Sequence, residues 1–122
     1  VPKILLIDDD ETVREVLSLA LERVGHTVAS ACDGREGLRY LEQNTVDLVV
    51  TDIVMPETEG MELIQRVRSA CPNLKIIVMS GGGRLRDTSY LQTATLLGAD
   101  YALTKPFGGA LLLAAVETVL AR

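Results

Sequence analysis

Short apolar runs alternate along the chain with longer stretches in which apolar residues recur every three or four positions. The first kind predicts buried strands and the second amphipathic helices, because side chains repeat every two residues in a strand and about every 3.6 in a helix. Lys3 to Ile7 is the first strand, and Val13, Val16, Leu17, Ala20, Leu21 and Val24 follow at helical spacing, with Gly25 as the stop. Thr27 to Ala31 is a shorter strand, after which Asp33 caps a helix that carries Leu38 and Leu41 and ends at Asn44. Val46 to Thr51 is rich in β-branched residues and predicts the central strand. Met55 to Gly60 reads as a loop, Met61, Leu63, Ile64 and Val67 as the inner side of a third helix, and Pro72 and Asn73 as its close. Lys75 to Ser80 is a fourth strand. Gly81, Gly82 and Gly83 then open a loop before a helix of roughly Leu91 to Leu97, with Gly98 as its end. Ala99 to Thr104 contains the fifth strand, and Leu111, Leu112, Ala115, Val116, Val119 and Leu120 mark a last helix.

Five strand-helix units in succession predict an α/β fold: a doubly wound, five-stranded parallel sheet, with helices on both faces because the crossovers are right-handed. In such a sheet all carboxyl ends open on one edge, and ligands bind there. Four of the apolar runs end in a reactive polar residue: Asp8 and Asp9 after the first, Asp52 after the third, Ser80 after the fourth and Lys105 after the fifth. Asp47, before the apolar part of the third strand, and Asp100, before the fifth, lie at the opposite strand ends.

Composition narrows the function classes. A chain of 122 residues with 48% hydrophobic side chains has the size and apolar content of one compact domain, residues 1–122. Its longest apolar stretch, Ala110 to Val116, is far too short to span a membrane. A net charge of −5 argues against direct nucleic-acid binding, which needs a basic footprint. Cys32 and Cys71 lack metal-ligand spacing and read as buried free thiols of a reducing cytosol, so a cytoplasmic location is expected. No signal-peptide pattern opens the chain, and a first residue other than Met is expected of a processed or excised segment.

Asp8, Asp9 and Asp52, brought to about 4 Å, would repel by about 4 kcal/mol per pair at an effective dielectric of about 20. Such a cluster favours a cation, and hard carboxylate oxygens select Mg²⁺ or Mn²⁺, with coordination positions left for water or a phosphate oxygen. An aspartate carboxylate can attack phosphorus to form an acyl phosphate, while the cation and Lys105 neutralise the phosphoryl oxygens and Ser80 donates a hydroxyl hydrogen bond.

In the order and spacing of these residues the chain resembles a CheY-like response-regulator receiver domain of bacterial two-component signalling. The family pattern has an acidic pair after strand one, a phosphorylated Asp after strand three, Thr or Ser after strand four and Lys-Pro after strand five. The resemblance covers essentially the whole chain and implies a flavodoxin-like (βα)5 fold with strand order 2-1-3-4-5. It also implies that Asp52, within Thr51-Asp52-Ile53-Val54-Met55-Pro56, is the phosphoacceptor. Asp9 is then a direct metal ligand, Asp8 acts through water, and the backbone carbonyl of Ile53 completes the protein ligands. Ser80 matches the switch hydroxyl and Lys105 the family lysine, in a Lys105-Pro106 bond expected to be cis. The implied partners are a histidine kinase or phosphotransfer protein and a downstream effector domain or protein. The effector would be reached through the face of the Leu91 to Leu97 helix, strand five and the last helix, and a phosphorylation-dependent dimer fits the same family. The module catalyses only its own phosphorylation and dephosphorylation. Its wider setting could be a stand-alone shuttle, a transcription regulator or a hybrid kinase.

Two positions depart from the family pattern. Ala102 stands where these receivers carry an aromatic, and Tyr101, one residue earlier, faces the other side of a strand unless the register shifts. The segment from Ser80 to Lys105 is about three residues longer than usual, with the excess in Gly81 to Thr88. Val54, two residues past Asp52, suggests partial shielding of the acyl phosphate and no help to an attacking water.

Other polar residues have plainer readings. Asp10 and Glu11 suit the cap and first turn of the first helix, His26 a surface turn, and Arg84 and Arg86 a solvated loop. The alternative from another class is a haloacid-dehalogenase-like phosphohydrolase, since Asp8-Asp9-Asp10-Glu11-Thr12-Val13 fits its nucleophile motif with Asp8 as nucleophile. Against it, only 17 residues follow Lys105, without the acidic pair that family needs, and Asp52 is left without a role.

Overall fold

The computed structural model describes residues 2–52, 60–80, 98–104 and 108–121. Five strands form one sheet: β1 (Lys3–Ile7), β2 (Thr27–Ala31), β3 (Leu48–Asp52), β4 (Lys75–Ser80) and β5 (Tyr101–Thr104). They are all parallel, in the order β2-β1-β3-β4-β5, so β3 is central as its β-branched run predicts. Four described helices cover the sheet: α1 (Glu11–Arg23), α2 (Gly34–Gln43), α3 (Gly60–Ala70) and α4 (Gly109–Leu120). The flavodoxin-like architecture implied by the resemblance is therefore the one observed.

Alternation of side chains along the strands divides the core in two. Ile4, Leu6, Leu48, Val50, Ile77, Met79 and Leu103 point to one face, where Leu17 and Leu21 of α1 and Leu112, Ala115, Val116 and Val119 of α4 meet them. Leu5, Ile7, Val49, Ile76 and Val78 point to the other, against Leu63, Ile64 and Val67 of α3 and the half-buried Leu38 and Leu41 of α2. Burying an aliphatic side chain of this size contributes roughly 1.5–3 kcal/mol, so these two apolar layers dominate the stability of the sheet.

Helix ends follow their local chemistry. Asp10 caps α1, its carboxylate accepting from the backbone N–H groups of Thr12 and Val13, and Glu11 occupies the first turn. Asp33 caps α2 by accepting from the Glu36 N–H. Gly25, with φ +99, takes the left-handed conformation that stops the chain after α1. The inward stripe of α1 is narrower than the spacing predicts: Val16 and Val24 are more than half exposed, because only the line through Leu17 and Leu21 faces the sheet squarely. The bounds of β3 shift, since it runs from Leu48 through Asp52 and so starts two residues later than predicted, while β5, Tyr101–Thr104, falls within the predicted segment. The predicted loop 55–59, glycine loop 81–83 and helix 91–97 lie outside the described residues, as do Arg84 and Arg86.

The amino edge of the sheet is tied by polar contacts. Asp47 accepts from the Lys3 N–H at 2.8 Å, joining the entry of β3 to β1. Asp100 accepts from the Ile76 N–H at 2.8 Å, joining β4 to the entry of β5. Both aspartates thus lie away from the carboxyl edge, as their sequence positions imply. Arg68, near the end of α3, donates to the carbonyls of Pro72, Leu74 and Gly98 and pairs with Asp100 at 3.3 Å. Gly98 has φ +118, and a Cβ there would meet Arg68 Nε at 3.0 Å, so the glycine serves both the turn and the approach of the guanidinium.

Arg68→Met is expected to destabilise the fold by about 2–4 kcal/mol, since it strips donors from partly buried carbonyls and removes the Arg68 pairing of Asp100. Urea unfolding checks this, and Arg68→Lys should recover only part of the loss because one ammonium cannot span the same carbonyls.

Candidate functional site

The register of β1 against β3 pairs Ile4 with Leu48 and Ile7 with Thr51. One further step brings Asp8 level with Asp52, with neighbouring strands about 4.8 Å apart. These two strands are also where the chain reverses its direction of winding, from β1 outward to β2 and then back across to β3. Open α/β sheets split at that point, leaving a crevice outside the strand ends. Carboxylate oxygens of Asp8, Asp9 and Asp52 lie there within 4.8 Å of one another.

Their environments differ. Asp8 is fully buried and Asp52 nearly so, at 7% exposure, whereas Asp9 is open to solvent. Asp8 is held at three points: its N–H donates to the Ala31 carbonyl at 3.2 Å, its Oδ1 accepts from the Asp10 N–H at 2.9 Å, and its carbonyl accepts from Arg14 Nη1 at 2.6 Å. The carbonyl of Asp52 accepts from the buried Thr51 hydroxyl at 3.0 Å. At 4.8 Å or less, two carboxylates repel by about 3.5 kcal/mol or more at an effective dielectric of about 20. The donor set is entirely hard oxygen, two of its members are desolvated and one faces water. That combination suits a divalent cation such as Mg²⁺ that keeps open positions.

The structure therefore gathers three of the predicted site residues. Ser80 closes β4 with its Cα opposite that of Thr104, while its side chain lies outside the described residues. Ile53, Val54, Lys105 and the Lys105-Pro106 bond lie outside them as well. Arg14 is a contributor that the spacing of motifs does not reveal. The only signal for it is an arginine early in the helix that follows an acidic pair, where its side chain can reach back to the strand end.

Further expectations can be judged here. On β5, Ala102 packs towards the α2–α3 layer, and Tyr101 packs with the α1–α4 layer. The pairings Ile77 with Tyr101 and Val78 with Ala102 run without a shift, so Tyr101 does not take the place of an aromatic at 102. Both cysteines are free, but Cys32 is exposed, not buried, because it lies just past the end of edge strand β2. Its thiol donates to Glu36 Oε2 at 3.2 Å, and that bond to a carboxylate, more than any other influence, raises its pKa. Cys71 is half-buried, and His26 lies in the turn after Gly25, its N–H donating to the Leu21 carbonyl. Among the described residues no helix is long and apolar enough to cross a membrane. A cleft of about 790 Å³ opens between Asn44, Asp47, Pro72, Lys75 and Leu120, but it lies on the amino edge, away from the carboxylates.

Comparison with known proteins agrees with this geometry. The chain is 36% identical to the transcriptional regulatory protein AfsQ1 of Streptomyces coelicolor over 121 residues, which is 99% of this chain and 52% of that protein. It is 38% identical to the DNA-binding transcriptional regulator NtrC of Azospirillum brasilense, covering 96% of this chain and 24% of that protein. The chain thus spans from about a quarter to about half the length of these relatives. Among solved structures, a CheY-like response regulator receiver domain protein from Methanospirillum hungatei JF-1 superposes with a TM-score of 0.91 at 29% identity, over 99% of this chain and 94% of that one. A receiver domain protein from Clostridium thermocellum gives 0.91 at 32% identity, over 100% and 96%. The family model described as response regulator receiver domain matches residues 4–117. With its strand order, its acidic crevice and that match, the chain belongs to the response regulator receiver domains, the signalling modules of two-component systems.

Proposed function

We propose that Asp52 accepts a phosphoryl group from a histidine kinase or phosphotransfer protein in the cytoplasm, and that the resulting change of conformation controls an effector. The observation that carries this reading is the meeting of Asp8, Asp9 and Asp52 at the carboxyl ends of β1 and β3 in a chain of this family. Asp9, Asp52 and the Ile53 carbonyl would hold Mg²⁺ or Mn²⁺ directly, and Asp8 through water. Bound there, the cation supplies positive charge to the phosphoryl oxygens.

The rest falls to the chain's own groups. A carboxylate oxygen of Asp52 attacks phosphorus, the bond from phosphorus to the donor nitrogen breaks, and its electron pair returns to the imidazole of the donor. Burial of Asp52 strips water from the nucleophile and strengthens every charge interaction around it. Lys105 and Ser80 then bond the phosphoryl oxygens of the product. Charge-assisted bonds of this kind bias a two-state equilibrium, for which a change from 1:99 to 99:1 takes about 5.5 kcal/mol. The output face is that of residues 91–97, β5 and α4. Ala102 offers no aromatic ring to turn on this face.

The relatives named as transcriptional regulators are longer than this chain, and an effector domain or partner protein fits that difference. An acidic receiver of net charge −5 would act on DNA only through such an effector. The phosphohydrolase alternative with Asp8 as nucleophile is disfavoured, because Asp8 Oδ1 is engaged by the Asp10 N–H and the family model that matches the chain is that of receiver domains.

Incubation with acetyl phosphate and Mg²⁺, followed by borohydride reduction and peptide mass mapping, should place the label on Asp52. Asp52→Asn should lose stable labelling while keeping the fold; a label on Asp8, or undiminished labelling of the variant, contradicts the assignment. Lys105→Ala should still accept phosphate but show little of the phosphorylation-dependent change in amide chemical shifts on β5 and α4. Full-sized shifts in that variant would count against its role.

A further inference from the structure

We infer that Arg14 is a positioning residue for the acidic crevice: its guanidinium clamps the Asp8 carbonyl and so fixes the loop that presents Asp8 and Asp9 to the cation. This rests on the reading of the site given above and extends it to a residue outside the metal and phosphate contacts.

The geometry is specific. β1 ends at Ile7, so the Asp8 carbonyl lies beyond the ladder pairs of that strand. Arg14, six residues on and in the second turn of α1, reaches back to it at 2.6 Å in a partly buried setting. Asp10 caps that same helix and also donates its N–H to Asp8 Oδ1. One short closed path therefore runs from the Asp8 carbonyl through Arg14 and α1 to Asp10 and back to the Asp8 carboxylate. Asp9 sits inside it, so its orientation depends on the loop remaining closed. A charge-assisted bond at this length is among the stronger hydrogen bonds a protein makes.

Groups that orient metal ligands from behind typically change metal affinity or activity by about 10–100-fold when removed. Arg14→Met should therefore weaken Mg²⁺ binding, measured by calorimetry, by about tenfold or more. In the metal-free protein the Asp10 amide should also exchange faster with solvent, while amides of β3 and β4 keep their protection. Arg14→Lys, which can still place an ammonium on the carbonyl, should restore most of the affinity, and Arg14→Gln, without charge, little. A residue that merely supports the fold would lower thermal stability in all three variants without this ranking. Unchanged Mg²⁺ affinity in Arg14→Met, or equal recovery by Lys and Gln, overturns the inference. If Arg14→Met does not fold, the Lys and Gln pair decides alone. Failure of the unsubstituted protein to label at Asp52 would instead overturn the phosphoacceptor reading, and the Mg²⁺ ranking would still report on Arg14.

Discussion

Three like charges held within 4.8 Å of one another are the constraint around which this receiver is organised. Left to itself, a chain would separate them. Here the apolar sheet prevents it: Ile4 to Ile7 and Leu48 to Val50 are almost completely buried, and moving Asp8 or Asp52 apart would mean pulling β1 from β3. Burial of those strands thus holds together the carboxylates that follow them, an arrangement compatible with a divalent cation. In the function proposed above, affinity for the cation and readiness to accept phosphate are two consequences of one packing arrangement.

The two edges of the sheet are built for different ends. On the amino edge, Asp47 and Asp100 cap backbone N–H groups of neighbouring strands, and Arg68 gathers carbonyls from three segments. These acids have their partners inside the fold and ask for nothing more. On the carboxyl edge, Asp9 is exposed and lies beside the carboxylates of Asp8 and Asp52, with Arg14 bonded to the Asp8 carbonyl behind them. The same residue types thus secure structure at one end of the strands and form the acidic crevice at the other.

Much of this was legible in the chain because burial has a period. Apolar runs of four to six residues between helix-length stretches located all five strands, and Gly25, Asp10 and Asp33 marked helix ends through their backbone and capping chemistry. The convergence of Asp8, Asp9 and Asp52 followed from parallel topology alone. What escaped is what depends on neighbours distant in sequence. The exposure of Val16 and Val24 is set by how narrowly α1 meets the sheet, that of Cys32 by the position of β2 at an edge, and the reach of Arg14 by the angle at which α1 leaves β1. No periodicity in the chain carries those angles.

Paramagnetic broadening by Mn²⁺ in an amide-resolved spectrum tests the central claim most directly, because it reports distance from the bound ion at every backbone position. At substoichiometric Mn²⁺ the account predicts that amides of Asp8, Asp9, Asp10 and Asp52 broaden first, while Lys3, Asp47 and Ile76 on the far edge stay sharp. Broadening centred on the amino edge, or none that singles out the carboxyl ends of β1 and β3, would contradict it.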